Sequence, residues 1–442
     1  MRRISRTAAT AVAVTLLAAG CGGGSNDEPN ADSSNAPEAG AFEGETLELA
    51  AVWSGAEQEA MQEVLAAFSE QTGAEVTFTS TGDDIATVLG TRITGGDPPD
   101  VAVLPQPGLL NQFVGDGSLQ PLSEDVIAAV DENYDEVWKN LGSVDGELYG
   151  VWFKAANKST VWYNTGLFEQ AGASPPEDFD AFVDTAATIA DSGVTPLSVA
   201  GGDGWTLTDW FENVYLRVAG PELYDQLTAH EIPWTDESVI TSLQVLADLW
   251  GNPDTVVGGT SGALQVLFPD SVNAVFADDP SGAIVFEGDF VAGVIGDSTS
   301  AVVGEDAQFF PFPSIDGSEA SVVGGGDVAV ALSDSDAAMA LVAYLATPEA
   351  AEIWAAIGGF ISPNSNVDTS VYADDTTREI AEALVGAGDN FRFDMSDQMP
   401  PAFGGTPGAG EWKILQDFLG DPTTVDATAQ ALEDAATEAY GG

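Results

Sequence analysis

Polar and apolar positions along the chain fall into short alternating runs separated by longer stretches with helical spacing. Residues 46–53 alternate as a strand does. Met61, Val64, Leu65 and Phe68 then recur three and four apart, which places them on one helix face, and Gly73 is positioned to end that helix. Residues 76–79 read as a strand, Ile85, Val88 and Leu89 as a helix ending near Gly95-Gly96, and residues 101–104 as a short apolar strand. Pro107 suits the first turn of the next helix, where its missing N–H leaves nothing unpaired. This β-α-β-α-β-α order predicts a parallel sheet with helices on both faces.

The same style continues. Strands are predicted at 151–153, 160–163, 283–286, 308–312 and 328–332, and helices at 179–190 and 239–250. Residues 337–357 form a long helical region broken at Thr347-Pro348. From Thr376 onward the pattern is mainly helical, apart from a Gly/Pro-rich loop at 400–410.

The first 44 residues differ in composition. Arg2, Arg3 and Arg6 precede a short apolar run, residues 8–20, too short to span a bilayer. Ala18-Ala19-Gly20-Cys21 resembles a lipobox, in which the thiol is acylated and becomes the mature N-terminus; Cys21 is the only cysteine. The other reading is a plain secretory signal followed by a free thiol, a liability in an oxidising compartment. Residues 21–44 are rich in Gly, Ser, Asn, Asp, Glu and Pro, and Phe42 is their one large apolar side chain. Such a stretch reads as a flexible acidic linker. The expected location is therefore extracytoplasmic, anchored to the cell membrane through lipidated Cys21.

Charge narrows the function further. The chain carries 71 acidic and 11 basic residues, a formal net charge of −60 at pH 7. Loss of the three N-terminal arginines leaves 8 basic residues against the same 71 acids, or −63. That balance argues against nucleic acid, whose phosphates require a basic surface. The acids are dispersed, as in a solvated acidic shell, and their self-repulsion would be relieved by molar salt. With His230 the only histidine, no zinc site of ordinary ligands is expected, and a catalytic triad would have to use a histidine that sits in a polar loop. Gly324-Gly325-Gly326-Asp327 lacks the spacing of a phosphate-binding loop, and no cofactor is implied.

With the elements in order, several stretches carry a family likeness. They are Gly95-Gly96-Asp97-Pro98-Pro99-Asp100-Val101, Tyr149-Gly150-Val151-Trp152 through Trp162-Tyr163-Asn164, Phe168 through Pro175-Pro176 to Phe179, Tyr344-Leu345-Ala346-Thr347-Pro348-Glu349-Ala350-Ala351, and Gly358-Gly359-Phe360-Ile361-Ser362-Pro363-Asn364. Their shared order over residues 45–442 resembles extracellular solute-binding proteins of carbohydrate ABC transporters, of the maltose and α-glucoside type. The resemblance implies a periplasmic-binding-protein-like α/β fold. Its two lobes, each a mainly parallel sheet flanked by helices, are hinged by crossing segments near Trp152, Leu264 and Gly326. The expected division is 45–152 with 265–326 for lobe one, and 153–264 with 327–442 for lobe two. A sugar would close the lobes by touching both. The implied partners are this sugar and the permease subunits, with the protein a monomer.

A sugar has apolar C–H faces that pack on aromatic rings and hydroxyls that need directed partners, so its site mixes Trp, Tyr or Phe with Asp, Glu, Asn or Gln at strand ends. Ser54 and Glu57 follow the first strand in Trp53-Ser54-Gly55-Ala56-Glu57, matching the family's first ligand loop; Glu57 also suits a plain helix N-terminus. Gln106 matches the second loop or is a satisfied turn residue. Gly201-Gly202-Asp203-Gly204-Trp205 leaves the Trp205 ring free for stacking, and Asp209 lies on the same helix face if the helix begins that early. Glu287 and Asp289 lie where the family offers a ligand-contacting aromatic; the tryptophan of maltose binders is absent there, and these acids also read as loop residues. Asp327 follows the glycines of the third crossing. Trp412 is a second stacking ring or a core residue with Leu415 and Phe418.

Paired carboxylates beside tryptophans also suit glycoside hydrolysis, but no hydrolase signature is present. The acidic body of the chain would favour a polyamine as the second choice of ligand, whereas the aromatic-rich turns and the order of motifs favour sugar; the anchor and acidity alone would fit a surface-layer component.

Overall fold

The computed structural model describes residues 39–252 and 254–441, and nothing is described of the Asp389 side chain. The signal segment and Cys21 lie outside the described residues.

The first sheet starts as expected. β1 (Thr46–Ala51) pairs in parallel with β2 (Glu75–Ser80) and β3 (Val101–Leu104). The helix Ala56–Thr72 connects β1 to β2 and buries Met61, Val64, Leu65 and Phe68, the four positions its spacing marks. β4 (Gly150–Asn157) is buried along its whole length and ends this stretch of the lobe. After Lys158-Ser159 the chain enters a second sheet made of β5 (Thr160–Asn164), β6 (Thr195–Ser198), β7 (Gly282–Phe286) and β8 (Ala307–Pro311), in the order β8-β5-β7-β6. It then returns to the first sheet as β9 (Val322–Ala331) and β10 (Phe391–Phe393).

Two expectations need correction. The sheets are mixed rather than mainly parallel. β9 runs antiparallel to both β3 and β4, and in the second sheet only β6 and β7 are parallel. The lobe boundaries also shift. β7 and β8, expected in lobe one, pair with β5, whereas β9, which holds Gly326, is inserted between β3 and β10. The first crossing falls at Lys158-Ser159, five residues beyond the expected start of lobe two, and the return lies between β8 and β9. Leu264 caps a short helix of lobe two and crosses nothing. The glycines that read as a crossing are strand residues. A Cβ on Gly326 would lie 2.5 Å from the Lys154 carbonyl oxygen, so the close approach of β9 to β4 demands glycine there.

Lobe one is completed by the helices Asp336–Leu345, Pro348–Ile357 and Asp375–Gly386, which bury Leu341, Trp354 and Ile380 in the same cluster as Leu49 and Val103. Lobe two packs its sheet against Trp205–Thr228, Glu237–Trp250, Gly410–Gly420 and Val425–Ala439, burying Trp210, Trp250, Leu415 and Phe418. The expected linker is partly docked. Gly40 N–H and Phe42 N–H donate to the carbonyls of Gln71 and Thr72, and the Phe42 ring packs on lobe one.

The lobes meet directly. Gly359 of lobe one lies so near the helix after β7 that a Cβ on it would approach the Gly293 backbone to 2.8 Å. The helix Pro107–Gly115 packs on the short helix Met395–Gln398, where a Cβ on Gly108 would lie 2.3 Å from the Met399 carbonyl.

Candidate functional site

Two lysines organise the region between the lobes, one inside β4 and the other just past its end. The chain has only four lysines, so two of them at this junction is a concentrated positive charge in a strongly acidic protein.

Lys154 points from β4 with its side chain 3% exposed and pairs with Glu57, which lies in the first turn of the Ala56–Thr72 helix. Its ammonium also lies 5.4 Å from the Trp354 ring centroid, 5.6 Å from Phe290 and 5.9 Å from Trp53. Burial alone would lower its pKa, but the charges of Glu57, Asp327 and Asp289 outweigh burial and raise it. Asp327, on β9, is pushed up to about 6 by burial, against the pull of Lys154. Asp289 is pushed up to about 7 by burial, although it accepts the Asn157 N–H at 2.7 Å.

Lys158 lies four residues further along, just past the end of β4 and at the crossing itself. Its Nζ donates to Asp394 Oδ2 at 2.5 Å and Asp209 Oδ1 at 3.3 Å, with Asp397 Oδ2 at 3.6 Å, and lies 5.8 Å from the Trp205 ring. Trp205 and Asp209 therefore do share a helix face, and Lys158 bridges them. Burial opposes the charge on Lys158, but these three carboxylates raise its pKa well above the ordinary value. Asp394, which burial would raise, is instead held down to about 2 by Lys158 and by hydrogen bonds. The remaining acids shift the other way. Burial pushes Glu287 and Asp397 up to about 8 and Asp209 well above its usual range. Asp209 Oδ2 and both Glu287 oxygens find no hydrogen-bond donor among the described residues, and the two side chains lie against each other. Two carboxylates in such contact form a hydrogen bond only if one keeps a proton.

Three rings connect the two lysines. Trp205 lies 5.5 Å from Phe268 and 6.0 Å from Phe290, and Phe268 meets Phe290 edge-on at 5.2 Å. All three are only partly buried, which leaves ring surface between the lobes. Gln106 of lobe one lies beside Asp397 of lobe two and favours its charged form. Trp412 is buried at 6% exposure against Gly204, and its indole N–H has no partner among the described residues. Ser54 is exposed and makes no hydrogen bond among the described residues. His230 pairs with Glu433 and packs at a tilt against Tyr440, at the end of the long Trp205–Thr228 helix. Among the described residues no group of three His, Cys, Asp or Glu side chains is arranged to hold a metal ion.

Glu57, Asp289 and Asp327 thus gather at Lys154, and Asp209 and Glu287 at Lys158. The pattern missed both lysines, Asp394, Asp397 and Phe290. A usable signal exists for one of them: Lys154 interrupts an otherwise apolar strand, where an isolated ammonium is costly unless partnered.

Residues 53–352 match the bacterial extracellular solute-binding protein family. An osmoprotective compounds-binding protein, GgtB of Synechocystis sp., is 36% identical over 84% of this chain and 87% of its own length. The α-glucosides-binding periplasmic protein AglE of Rhizobium meliloti is 33% identical over 88% of this chain and 86% of its own. Among solved structures, the bacterial solute receptor AcbH superposes with a TM-score of 0.77 at 22% identity, covering 89% of this chain and 98% of that one, a likeness of fold. Two mixed-sheet lobes, a polar and aromatic junction between them and these full-length similarities agree: the chain belongs to the bacterial extracellular solute-binding protein family.

Proposed function

We propose that this protein captures an α-glucoside or related oligosaccharide between its lobes and passes it to the membrane permease of an ABC transporter, without catalysing a reaction. The observation that carries this reading is the junction itself. Ring surface from Trp205, Phe268 and Phe290 lies beside buried carboxyl oxygens of Asp209 and Glu287 that lack donors among the described residues. Rings suit the C–H faces of a pyranose, and unpaired oxygens suit its hydroxyls. Similarity to AglE, named for α-glucosides, supports the sugar class. Glu57, Asp289 and Asp327 bind through the Lys154 end, and Gln106, Ser54 and Trp412 line the approach. The name of GgtB favours a small osmoprotective solute as a second reading within the same polyhydroxyl chemistry.

The protein acts as a monomer tethered outside the membrane by lipidated Cys21. Calorimetry against maltose, trehalose, sucrose and longer α-glucans tests the ligand class: saturable heat is expected with at least one, and heat only with spermidine would replace sugar by polyamine. Release of hydrolysis products would make the protein an enzyme. Mass spectrometry of the N-terminal peptide tests the anchor, with an unmodified Cys21 thiol overturning it.

A further inference from the structure

The surroundings of the Lys154 ammonium are those of a cation-binding box. Trp354, Phe290 and Trp53 hold their ring centroids within 5.4–5.9 Å of Nζ, and Glu57 closes a further side. Ring quadrupoles attract a positive charge at this range, and a cage of aromatic rings is how proteins recognise quaternary ammonium ligands. Here the chain supplies the cation itself. Lys154 cannot easily withdraw, because its strand is hydrogen-bonded to β9 on one side and Ala155 N–H donates to the Ile361 carbonyl on the other. The box borders a cavity of about 510 Å³, to which Glu57 and Trp354 both contribute wall. Glu59, Glu63, Asp297 and Asp374 also line that cavity, and no basic residue does. An acidic cavity ending in an aromatic box, in a protein of net charge −60, would concentrate small cations.

We infer that Lys154 is a resident ammonium that fills this box, so that the protein accepts neutral polyhydroxyl solutes and rejects quaternary amines and polyamines. The inference builds on the sugar reading and adds the residue that sets its selectivity. An incoming ammonium must compete with a cation tethered by its own backbone, whereas an uncharged sugar needs no such exchange. The same geometry explains how a cleft with so many acids avoids becoming a polyamine site. A different role for Lys154, as a simple donor to a sugar hydroxyl, predicts a different outcome on its removal: weaker sugar binding and no new ligand.

The experiment titrates the α-glucan panel, choline and spermidine into the mature wild-type protein and into Lys154→Ala by calorimetry, with circular dichroism to establish folding. Wild type is expected to give no saturable heat with choline or spermidine. Lys154→Ala is expected to bind choline at least tenfold more tightly than wild type does. The inference is overturned if wild type binds either cation as tightly as any sugar, a result that does not depend on the variant folding. It is also overturned if folded Lys154→Ala remains blind to choline. Wild type that binds no sugar while Lys154→Ala gains choline would remove the sugar reading and leave the resident-ammonium inference standing. Sugar binding by wild type with no choline gain in the variant would do the reverse.

Discussion

Lys154 and Lys158 stand four residues apart, the first buried and the second partly buried, and are held by different means. Lys154 has one directly paired carboxylate, Glu57, whose side chain is 35% exposed, and three rings. Lys158 has Asp209, Asp394 and Asp397 around it, and behind them Glu287. One site spreads a charge over polarisable surface. The other overcompensates it with more acid than one ammonium can balance, and the surplus must be met with protons. Selectivity therefore belongs to the first site, and the larger share of the pH sensitivity to the second, since Asp289 and Asp327 titrate upward beside Lys154 as well.

The contrast is broken most sharply by neutralising each lysine. Lys158→Met leaves several buried carboxyls with no counter-charge and is expected to cost about 3–5 kcal/mol in denaturant unfolding at neutral pH. Lys154→Met is expected to cost less, because Glu57 can turn to water. Equal losses would erase the distinction. A smaller effect falls on the ligand. Trp205→Ala, which removes a ring touching both sites, is expected to weaken sugar binding by about 1–3 kcal/mol. An unchanged dissociation constant would take Trp205 out of the site.

Next comes pH. Asp289 is raised to about 7, and Glu287 and Asp397 to about 8. Groups raised in the folded state stabilise it fully below their unfolded values near 4, and that contribution is lost as pH rises through the folded values. Asp394, lowered to about 2, works in the opposite sense: its contribution is present above about 4 and lost as pH falls toward 2. The melting temperature should therefore be highest near pH 4 and decline from there to about pH 8, and Glu287→Gln should flatten that decline. A melting temperature that climbs over this range would contradict the surplus-acid description. The smallest effect concerns the surface, not the junction. Screening of the dispersed acids should raise the melting temperature between dilute buffer and molar NaCl, and a flat or falling trend would show that repulsion matters little.

Much of this was legible in the pattern of residues. The helix Ala56–Thr72 and strands β1 to β3 follow directly from local periodicity, and the spacing of Trp205 and Asp209 puts them on one face once the helix is known to begin at Trp205. Which sheet each later strand joins was not legible. β7 and the last four residues of β9 are both short apolar runs, and nothing local distinguishes pairing with β5 from pairing with β3. Phe391-Arg392-Phe393 is a three-residue strand hidden in a helical stretch. The acids could be nominated because they stand close in sequence to aromatic residues or to glycine turns. Their partners could not, since Lys158 meets Asp394 across 236 positions of chain.

The position of β9 has a consequence for biogenesis. β3 emerges early, yet the strand that covers its open edge is more than two hundred residues later, and β10 later still. Until that material arrives the first sheet is unfinished, with an unpaired edge and much of its hydrophobic core unassembled. A chain threaded N-terminus first through an export channel thus cannot complete its leading lobe prematurely. The wiring delays folding until nearly the whole polypeptide is on the far side, and long-range closure of this kind is intrinsically slow.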